Sequence, residues 1–448
     1  MCSGDAPQTD TAASPGRPLA LLVLTRDPTG RMTGRKMVLT TAARGLEQSG
    51  FRVEAVVLSR HPVPASWDGR PLHRVDLPPL ARVGLNAARV ILRGRGTLNE
   101  ALFDSPQVRR RTAQFADERG ADAVVADGLR TTGAAMACGL PVVIHLDDLL
   151  SDRYAAMAGT ATSSTDVLGY FATQLPAALR RPASALARRL LGIEARRVDR
   201  REHQLAYDAD VVAMTSQDEA DELTRRTGRA VVALPMSVTA REPGDPSAAP
   251  ASSFVFLGVL DYAPNQQALA WWVAQVLPAL DAAGGGDITL TVVGHRTHES
   301  GALADPRLRF TGYVDDLGEE LRRHRGMVAP VLSGAGVKTK VLDGWSVGLP
   351  VVATPAGAAG LPRDDGLIVA TDAAGFAAAV LHLRHDGALA SRTGRAGWQA
   401  LQRDWSPEAV GERWGGTVRP LLRKDTRSAE TFSGRRHEGV PGIGERPY

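Results

Sequence analysis

The feature that most constrains this chain is a repeated alternation of short apolar runs with longer mixed segments. In the first half the apolar runs are residues 19–24, 53–58, 123–126, 142–146 and 211–214. In the second half they are residues 254–257, 288–293, 327–331, 350–353 and 367–369. A short strand, a segment long enough for a helix and another short strand are typical of a parallel sheet covered by helices. Two such series predict two α/β units.

Helical periodicity fills several of the longer segments. The predicted helices cover residues 36–48, 265–279, 316–324, 339–347, 373–385 and 407–422. A stretch rich in Pro, Ser and Ala without periodicity, residues 242–253, separates the two series. We therefore predict disordered tails over 1–17 and 423–448, α/β domains over 18–240 and 254–405, a linker over 241–253 and a closing helix over 406–422.

Composition and charge narrow the class of protein. No run approaches 18 apolar residues, so we expect no membrane-spanning helix, and the N-terminus lacks the apolar core of a secretory signal. Cys2 and Cys138 are too few for a disulfide framework, which fits the cytoplasm. The net charge of +4, carried by scattered basic residues, argues against nucleic-acid binding.

One basic stretch stands apart from this pattern. Between Arg180 and Arg201 there are eight Arg against two acids, Glu194 and Asp199, on a segment with helical spacing of its apolar residues. A solvated helix face is one interpretation. Peripheral contact with an anionic membrane, or with a lipid-phosphate acceptor, is the other.

The segment of residues 333–361 carries the clearest chemistry. Gly334 and Gly336 allow backbone N–H groups to approach an anion, and the helix that follows adds the positive end of its dipole. Although the chain has only four Lys against 49 Arg, Lys338 and Lys340 both fall here. A compact ammonium suits a diphosphate bound as a point charge, so the segment predicts a phosphate cradle.

Asp343 follows about one helical turn after Lys340, so both side chains should face roughly the same side. A carboxylate there could accept hydrogen bonds from both hydroxyls of a ribose. An ordinary Lys–Asp pair on a solvated helix is the alternative. The Asp208–Ala–Asp210 string is read as a turn cap before a strand rather than as a metal motif.

The run from Phe254 to Leu361 resembles the C-terminal domain of family 4 (group 1) glycosyltransferases, in the subgroup common in bacterial polysaccharide clusters. The resemblance is carried by residues 256–265, 292–295, 310–317 and 333–361. The first half resembles the acceptor domain of the family through the Gly30–Gly34 loop and residues 145–154 and 215–218.

This resemblance implies the GT-B fold, with two Rossmann-like, doubly wound domains facing each other across a cleft, and a sugar transfer that retains anomeric configuration. The nucleotide diphosphate-sugar donor would contact Gly258, Gly334, Gly336, Val337, Lys338, Lys340, Asp343, Thr354, Gly357 and Gly360. The acceptor side would include Gly30, Gly34, His145 and Asp148. His145, Lys340 and Asp343 are the catalytic candidates, although His145 could equally be a satisfied histidine at a domain edge.

The sequence departs from the family at one position of its paired acids. Family members commonly carry two Glu residues eight apart, whereas here Asp343 takes the second position and Ala335 the first. Backbone groups of residues 334–337 would have to replace the missing carboxylate. Trp345 is expected to pack in the core.

Glycosyl transfer develops negative charge on the leaving diphosphate, which Lys338, Lys340 and the helix dipole would stabilise without a metal or a cofactor. The sequence therefore predicts a retaining, metal-independent glycosyltransferase whose nucleotide, sugar and acceptor are unspecified. A nucleotide-sugar epimerase of the same fold and a non-catalytic nucleotide-sugar-binding protein are the alternatives.

Overall fold

The chain forms two parallel β-sheets, each covered by helices on both faces. The structure is a computed structural model that describes residues 16–29, 34–79, 82–86, 88, 96–160, 177–295, 305–333, 336–362 and 366–432, with side chains at all of these except 160, 177–187 and 423–432. The predicted tail 1–17 thus falls almost entirely, and the tail 423–448 partly, outside the described residues.

The first sheet has the strand order β3-β4-β2-β1-β5-β6-β7-β8 and is parallel except for the β3–β4 pair. Its strands are β1 (Leu19–Leu24), β2 (Arg52–Ser59), β3 (Ser66–Trp67), β4 (Arg70–Asp76), β5 (Ala123–Asp127), β6 (Val142–Asp147), β7 (Val211–Met214) and β8 (Val232–Ala233). All five strands predicted in this half are present. β4 escaped prediction because its buried residues alternate with exposed charged ones near the sheet edge.

The helices of this half that have defined bounds surround the sheet. They are α1 (Gly34–Gln48), α2 (Leu98–Ala101), α3 (Pro106–Arg119), α4 (Thr132–Met136), α5 (Leu150–Thr160), α6 (Ala177–Asp208) and α7 (Gln217–Thr227). The stretch between Arg180 and Arg201 lies within α6, which packs along α5.

The second sheet has the strand order β11-β10-β9-β12-β13-β14 and is parallel throughout. Its strands are β9 (Ser253–Leu257), β10 (Thr289–Val293), β11 (Leu308–Gly312), β12 (Gly326–Ala329), β13 (Val351–Ala353) and β14 (Leu367–Val369). The five strands predicted here are confirmed. β11 was not predicted as a strand, although its last three residues belong to the segment 310–317 that carries the family resemblance.

The helices of the second half are α8 (Ala263–Trp271), α9 (Leu277–Ala282), α10 (Leu317–Arg322), α11 (Thr339–Ser346), α12 (Ala373–His385), α13 (Gly387–Trp405) and α14 (Pro407–Phe432). A π-helical turn, Trp272–Val276, joins α8 to α9 just before Pro278, which has no N–H to continue the regular ladder. The single helix predicted over 265–279 is therefore divided. α13 was not predicted. Trp345 is fully buried and its Nε1 donates to the Gly366 carbonyl, as expected of a core residue.

The chain crosses between the two halves twice. At the first crossing Val238 N donates to the Trp405 carbonyl at 2.8 Å, so the two crossing segments touch. Residues 241–250 then pack on the second half, where Arg241 N donates to the Ser346 carbonyl and Pro246–Ala248 forms a 3-10 turn. The segment predicted as a linker is thus anchored, while the exact domain limits remain a prediction.

The last helix, α14, returns to the first half and packs on α1. Trp414 of α14 is fully buried against α1, where a Cβ on Gly45 would lie 2.9 Å from the indole ring. α14 continues to Phe432, past the predicted end at residue 422, because residues 423–432 contain no Gly or Pro that would stop a helix. None of the described helices is both long and apolar enough to cross a membrane.

Candidate active site

Three helix N-termini from the two halves converge at the carboxyl ends of the sheets. α1 begins at Gly34, where an added Cβ would lie 4.0 Å from Thr339 Cγ2 at the start of α11. A Cβ on Gly360, after β13, would lie only 2.8 Å from Oγ of Ser216, the N-cap residue of α7. Because helix N-termini carry partial positive charge, this convergence forms a region suited to an anion.

The predicted donor loop after β13 is tightly built. Thr354 Oγ1 donates to the Val331 carbonyl and accepts from Gly357 N at 3.1 Å. A Cβ on Gly357 would lie 2.4 Å from the Ala329 carbonyl oxygen, and Gly360 has a φ of +71°. Only glycine fits these two positions without displacing the backbone.

Three further predicted donor residues belong to the loops that follow β9 and β12. Val337 packs against Gly360, whose added Cβ would be 3.0 Å from Val337 Cγ2, and Gly336 has a φ of +72°. Gly258 follows β9, where an added Cβ would lie 2.6 Å from Asn265 Nδ2. The structure therefore gathers the predicted donor residues on one edge of the second sheet. Gly30, Gly334 and Ala335 lie outside the described residues.

The Lys340 amine is buried and has no carboxylate within ion-pair distance among the described residues. Its Nζ donates to Asn265 Oδ1 at 2.7 Å and lies 4.2 Å above the centre of the Phe256 ring. Burial, reinforced by the charge of Lys338, lowers the pKa of Lys340 to about 7, and Asp343 only partly opposes this. No ion pair of Lys340 occurs within the described part of the chain, so an entering anion would supply the missing negative charge.

Lys338 faces the opposite half of the protein. Its Nζ donates to the Gly336 carbonyl at 2.7 Å. Burial lowers the pKa of Lys338, while the carboxylates of Glu219 and Asp148 from the first half act to raise it. Lys338 therefore lies between the two halves.

Asp343 lines a cavity of about 370 Å³ between α1, the first crossing segment, α10 and α11. The hydroxyl groups of the cavity wall come from Thr40, Thr41, Ser237, Thr239 and Ser346. Burial raises the pKa of Asp343 to about 6, opposed by Arg241 and Lys340. No described cation lies within ion-pair distance of its carboxylate, so the alternative of an ordinary Lys–Asp pair does not describe this residue.

On the first half, an ion-paired cluster lies at the ends of β5 and β6. Arg35 pairs with Asp127 and places Nη1 3.2 Å from Asp147 Oδ1, and Thr215 Oγ1 donates to the same Asp147 oxygen at 2.8 Å. Burial lowers the pKa of Arg35. Burial also acts to raise the pKa of Asp147, but Arg35, His145 and Thr215 outweigh it and the pKa is lowered. Arg35 and Asp127 were not predicted, because nothing in their sequence spacing links them.

His145 lies in the core rather than in the cleft. Its side chain is 3% exposed, its Nε2 donates to the Leu234 carbonyl at 2.8 Å, and its ring stacks on Trp414 with centroids 6.0 Å apart. Burial, together with the charge of Arg35, lowers its pKa to about 4, so the ring is neutral at neutral pH. On β6 it shares a face with Val143, which packs beneath α1 and α14. This geometry favours the structural interpretation of His145 over direct contact with a substrate.

Two carboxylates at the acceptor side remain close to the cleft. Asp148 pairs with Arg153, and burial raises the pKa of Asp148. Glu219, in the first turn of α7, accepts from Leu149 N at 3.1 Å through Oε1. Burial raises the pKa of Glu219 to about 7, opposed mainly by the Leu149 hydrogen bond. Glu219 was not predicted, although it directly follows the segment 215–218 that carries the family resemblance.

The Asp208–Ala–Asp210 string has a structural place. Asp210 Oδ2 accepts from Val142 N at 2.9 Å and so ties the start of β7 to β6, while Asp208 lies 3.8 Å from Arg201. The role of Asp210 is therefore structural, but it joins two strands rather than capping the turn as predicted. Over the residues that the structure describes, no group of three His, Cys, Asp or Glu side chains is placed to hold a metal ion.

Two mainly parallel sheets, with Lys338 and Lys340 at the carboxyl edge of the second, fit the GT-B architecture that the sequence indicated. The family description "Glycosyl transferases group 1" matches residues 251–386, and "Glycosyl transferase 4-like domain" matches residues 33–237. Together the two matches cover more than two thirds of the chain. The chain belongs to the group 1, family 4 glycosyltransferases, as its sequence motifs indicated, and is a glycosyltransferase.

Solved structures with the same fold cover nearly the whole chain at low sequence identity. Anabaena HepE in complex with UDP and glucose is 14% identical with a TM-score of 0.54, covering 94% of this chain and 100% of that one. Sucrose-phosphate synthase from Thermosynechococcus elongatus is 16% identical with a TM-score of 0.60, covering 91% of this chain and 100% of that one. These likenesses establish the GT-B fold. Comparison with curated proteins gave no significant match.

Proposed function

We propose that the protein transfers a sugar, with retention of anomeric configuration, from a nucleoside diphosphate-sugar to an acceptor bound by the first half. The observation that carries the proposal is the pair Lys338 and Lys340 at the start of α11, where burial lowers both pKa values. Two partly desolvated ammonium groups at a helix N-terminus, facing two other helix N-termini, are complementary to a diphosphate.

The donor proposal extends to the nucleoside. With the diphosphate at the two lysines, Asp343 lies one helical turn further on and borders the hydroxyl-lined cavity. A ribose there would donate its hydroxyls to the carboxylate. UDP is our first candidate nucleotide, since HepE, which shares the fold, was solved with UDP and with UDP-glucose.

Metal independence and retention are part of the same proposal. In such a site Lys338, Lys340 and the positive end of α11 would neutralise the leaving diphosphate, the task that a divalent cation performs in other enzymes. The expected signatures are turnover that resists EDTA and a product whose anomeric configuration, read by NMR, equals that of the donor.

A thermal-shift screen without added metal tests the donor proposal. The purified chain is titrated with UDP, GDP, ADP and TDP and with the corresponding sugars. We expect one nucleotide family to stabilise the wild type, with the shift lost in Lys340→Ala and kept in Arg392→Ala, a charge removal at a highly exposed site on α13. Absence of a shift with every nucleotide would contradict the proposal.

Turnover assays then distinguish a transferase from the two alternatives, an epimerase and a non-catalytic binding protein. A transferase releases free nucleoside diphosphate from the stabilising sugar nucleotide, at least slowly to water. An epimerase would convert the donor into its isomer without releasing the nucleotide. Binding without either reaction would indicate a non-catalytic nucleotide-sugar-binding protein.

We further propose that the enzyme works in the cytoplasm, at the inner membrane face, in bacterial polysaccharide or glycolipid assembly. On α6 the described residues include the half-exposed Leu190 beside exposed Arg189, and the packed helix α5 exposes Met157. Apolar and basic groups on one helix pair suit an anionic lipid surface. Arg201, at the end of the basic stretch, instead forms an ion pair within the protein, with Glu100 at 2.8 Å.

Vesicle flotation tests the membrane proposal. The triple variant Arg189→Gln, Arg196→Gln, Arg200→Gln should lose salt-sensitive binding to vesicles that contain phosphatidylglycerol. A matched variant with Arg225, Arg392 and Arg413 changed to Gln removes the same charge elsewhere and should bind as the wild type does. Equal binding of the two variants would leave α6 as a solvated surface helix.

A further inference from the structure

The first turn of α7 reaches across the cleft into the donor loops of the second half. Asp218 Oδ2 accepts from Gly360 N at 3.2 Å, and Ser216 lies directly against Gly360. Glu219, the next residue of the same turn, interacts electrostatically with Lys338. One short segment of the first half thus meets the residues assigned above to the diphosphate.

Glu219 has one fixed and one unsatisfied carboxylate oxygen. Oε1 accepts from Leu149 N, next to the acceptor-side residue Asp148. Oε2 is buried and has no hydrogen-bond partner among the described residues. A buried carboxylate oxygen without a partner is costly in a folded protein, so its retention points to a partner supplied from outside the chain.

We propose that Glu219 is the catalytic group that binds the acceptor hydroxyl and takes its proton during sugar transfer. This inference rests on the proposed function. The acceptor O–H bond breaks towards Glu219 as the new bond from that oxygen to the anomeric carbon forms. At the same time the bond from the anomeric carbon to the diphosphate oxygen breaks, and its electron pair leaves with the nucleoside diphosphate, stabilised by Lys338 and Lys340.

The position of Glu219 agrees with the stereochemistry proposed above. Because Glu219 interacts electrostatically with Lys338, we place an acceptor hydroxyl bound to Glu219 on the side of the sugar from which the diphosphate leaves. Attack from that side retains the anomeric configuration. The pKa of Glu219, raised by burial to about 7, also suits a proton acceptor working near neutral pH.

The test uses the full chain and the UDP-sugar that is turned over, with water as the acceptor and isothermal titration with UDP for binding. We expect Glu219→Gln to lower kcat of hydrolysis by about 100-fold, the range of general base catalysis, with donor KM and UDP affinity unchanged or slightly improved. Glu219→Ala should lose as much, and sodium formate should restore at least a tenth of the wild-type rate. Asp221→Asn, a change on an exposed residue of the same helix, should behave as the wild type does.

Three results would overturn the inference while leaving the proposed function in place. One is a Glu219→Gln enzyme that hydrolyses donor within threefold of the wild type. Another is a parallel loss of UDP affinity and turnover, which would make Glu219 a structural contact between the halves. The third is a Glu219→Ala enzyme that formate does not rescue. A wild type that binds no nucleotide would remove the proposed function itself, and this inference with it.

Discussion

Replacing Lys340 by Met should remove two pH dependences that have opposite signs. One is that of the free energy of unfolding of the free protein, and the other is that of its affinity for a nucleotide. Met keeps most of the length of the side chain but removes the amine. The pKa of this amine is about 7 in the folded protein, against an ordinary value of 10.5. Between these two values the unfolded chain binds more protons at this group than the native state does. Wild-type stability at this position therefore rises with pH across that window and is flat below it.

The size of the effect follows from the same shift. Each pH unit inside the window is worth about 1.4 kcal/mol for a fully shifted group. Allowing for some solvent screening, the free energy of unfolding of the wild type should gain about 1–2 kcal/mol on the variant between pH 7.5 and 9.0. Loss of the hydrogen bond to Asn265 and of the Phe256 contact adds an offset that does not depend on pH.

Nucleotide binding should show the reverse dependence. A diphosphate stabilises the charged ammonium, so binding above pH 7 takes up a proton and weakens as pH rises, by about tenfold between pH 7.5 and 9.0. Removing a charge-assisted contact of this kind costs about 2–3 kcal/mol, so Lys340→Met should bind UDP about 30- to 150-fold more weakly at pH 7.5.

Urea unfolding and isothermal titration with UDP, each at pH 6.5, 7.5 and 9.0, check both halves of this prediction. Arg392→Met serves as the control for a lost exposed charge. The reasoning is refuted if the stability difference between Lys340→Met and wild type does not change with pH. It is equally refuted if the variant binds UDP as tightly as the wild type does.

Three further predictions concern the donor pocket and the core. Asp343→Asn should weaken binding of UDP about tenfold but leave binding of 2′,3′-dideoxy-UDP unchanged, because only a ribose hydroxyl donates to the carboxylate; equal losses for both ligands in titration calorimetry would reject this contact. Gly357→Ala, whose Cβ would lie 2.4 Å from a carbonyl oxygen, should abolish the UDP-induced thermal shift, and a wild-type shift would contradict the tight loop. Trp414→Ala should lower the free energy of unfolding by about 3–5 kcal/mol in urea, against less than about 1 kcal/mol for the half-exposed Leu190→Ala, and similar losses would mean that α14 adds little to the core.

The strands were predictable because a strand covered on both faces must be apolar along its whole length. Leu19–Leu24 is buried at every position, and its sequence shows this directly. Arg70–Asp76 is buried only at alternate positions. Its exposed charged residues interrupt the apolar run, so no strand was predicted there. The sequence signal thus reports burial of both faces more than it reports strand geometry.

Some parts of the candidate site are contiguous in sequence, whereas others come together only on folding. The glycine loop with Lys338 and Lys340 is contiguous, so its chemistry is visible in one segment. The pair of Arg35 with Asp127 joins residues 92 positions apart, and Glu219 meets Lys338 only after both halves have folded. For His145 the sequence left two interpretations open, a ligand contact at a strand end and a satisfied histidine at a domain edge. The alternation of side chains along β6 places it in the core and favours the second.

The return of α14 makes the first half discontinuous in sequence, with consequences for protein engineering. A chimera that exchanges donor specificity with a relative needs two junctions, one near Val238 and one near Trp405, because a single junction would pair α1 with a foreign helix. Truncation after Trp405 would uncover the face of the first sheet on which Trp414 lies. Since the two crossings touch each other, they also define one short axis, and opening of the cleft should be a rotation about that axis rather than a free separation of two tethered bodies.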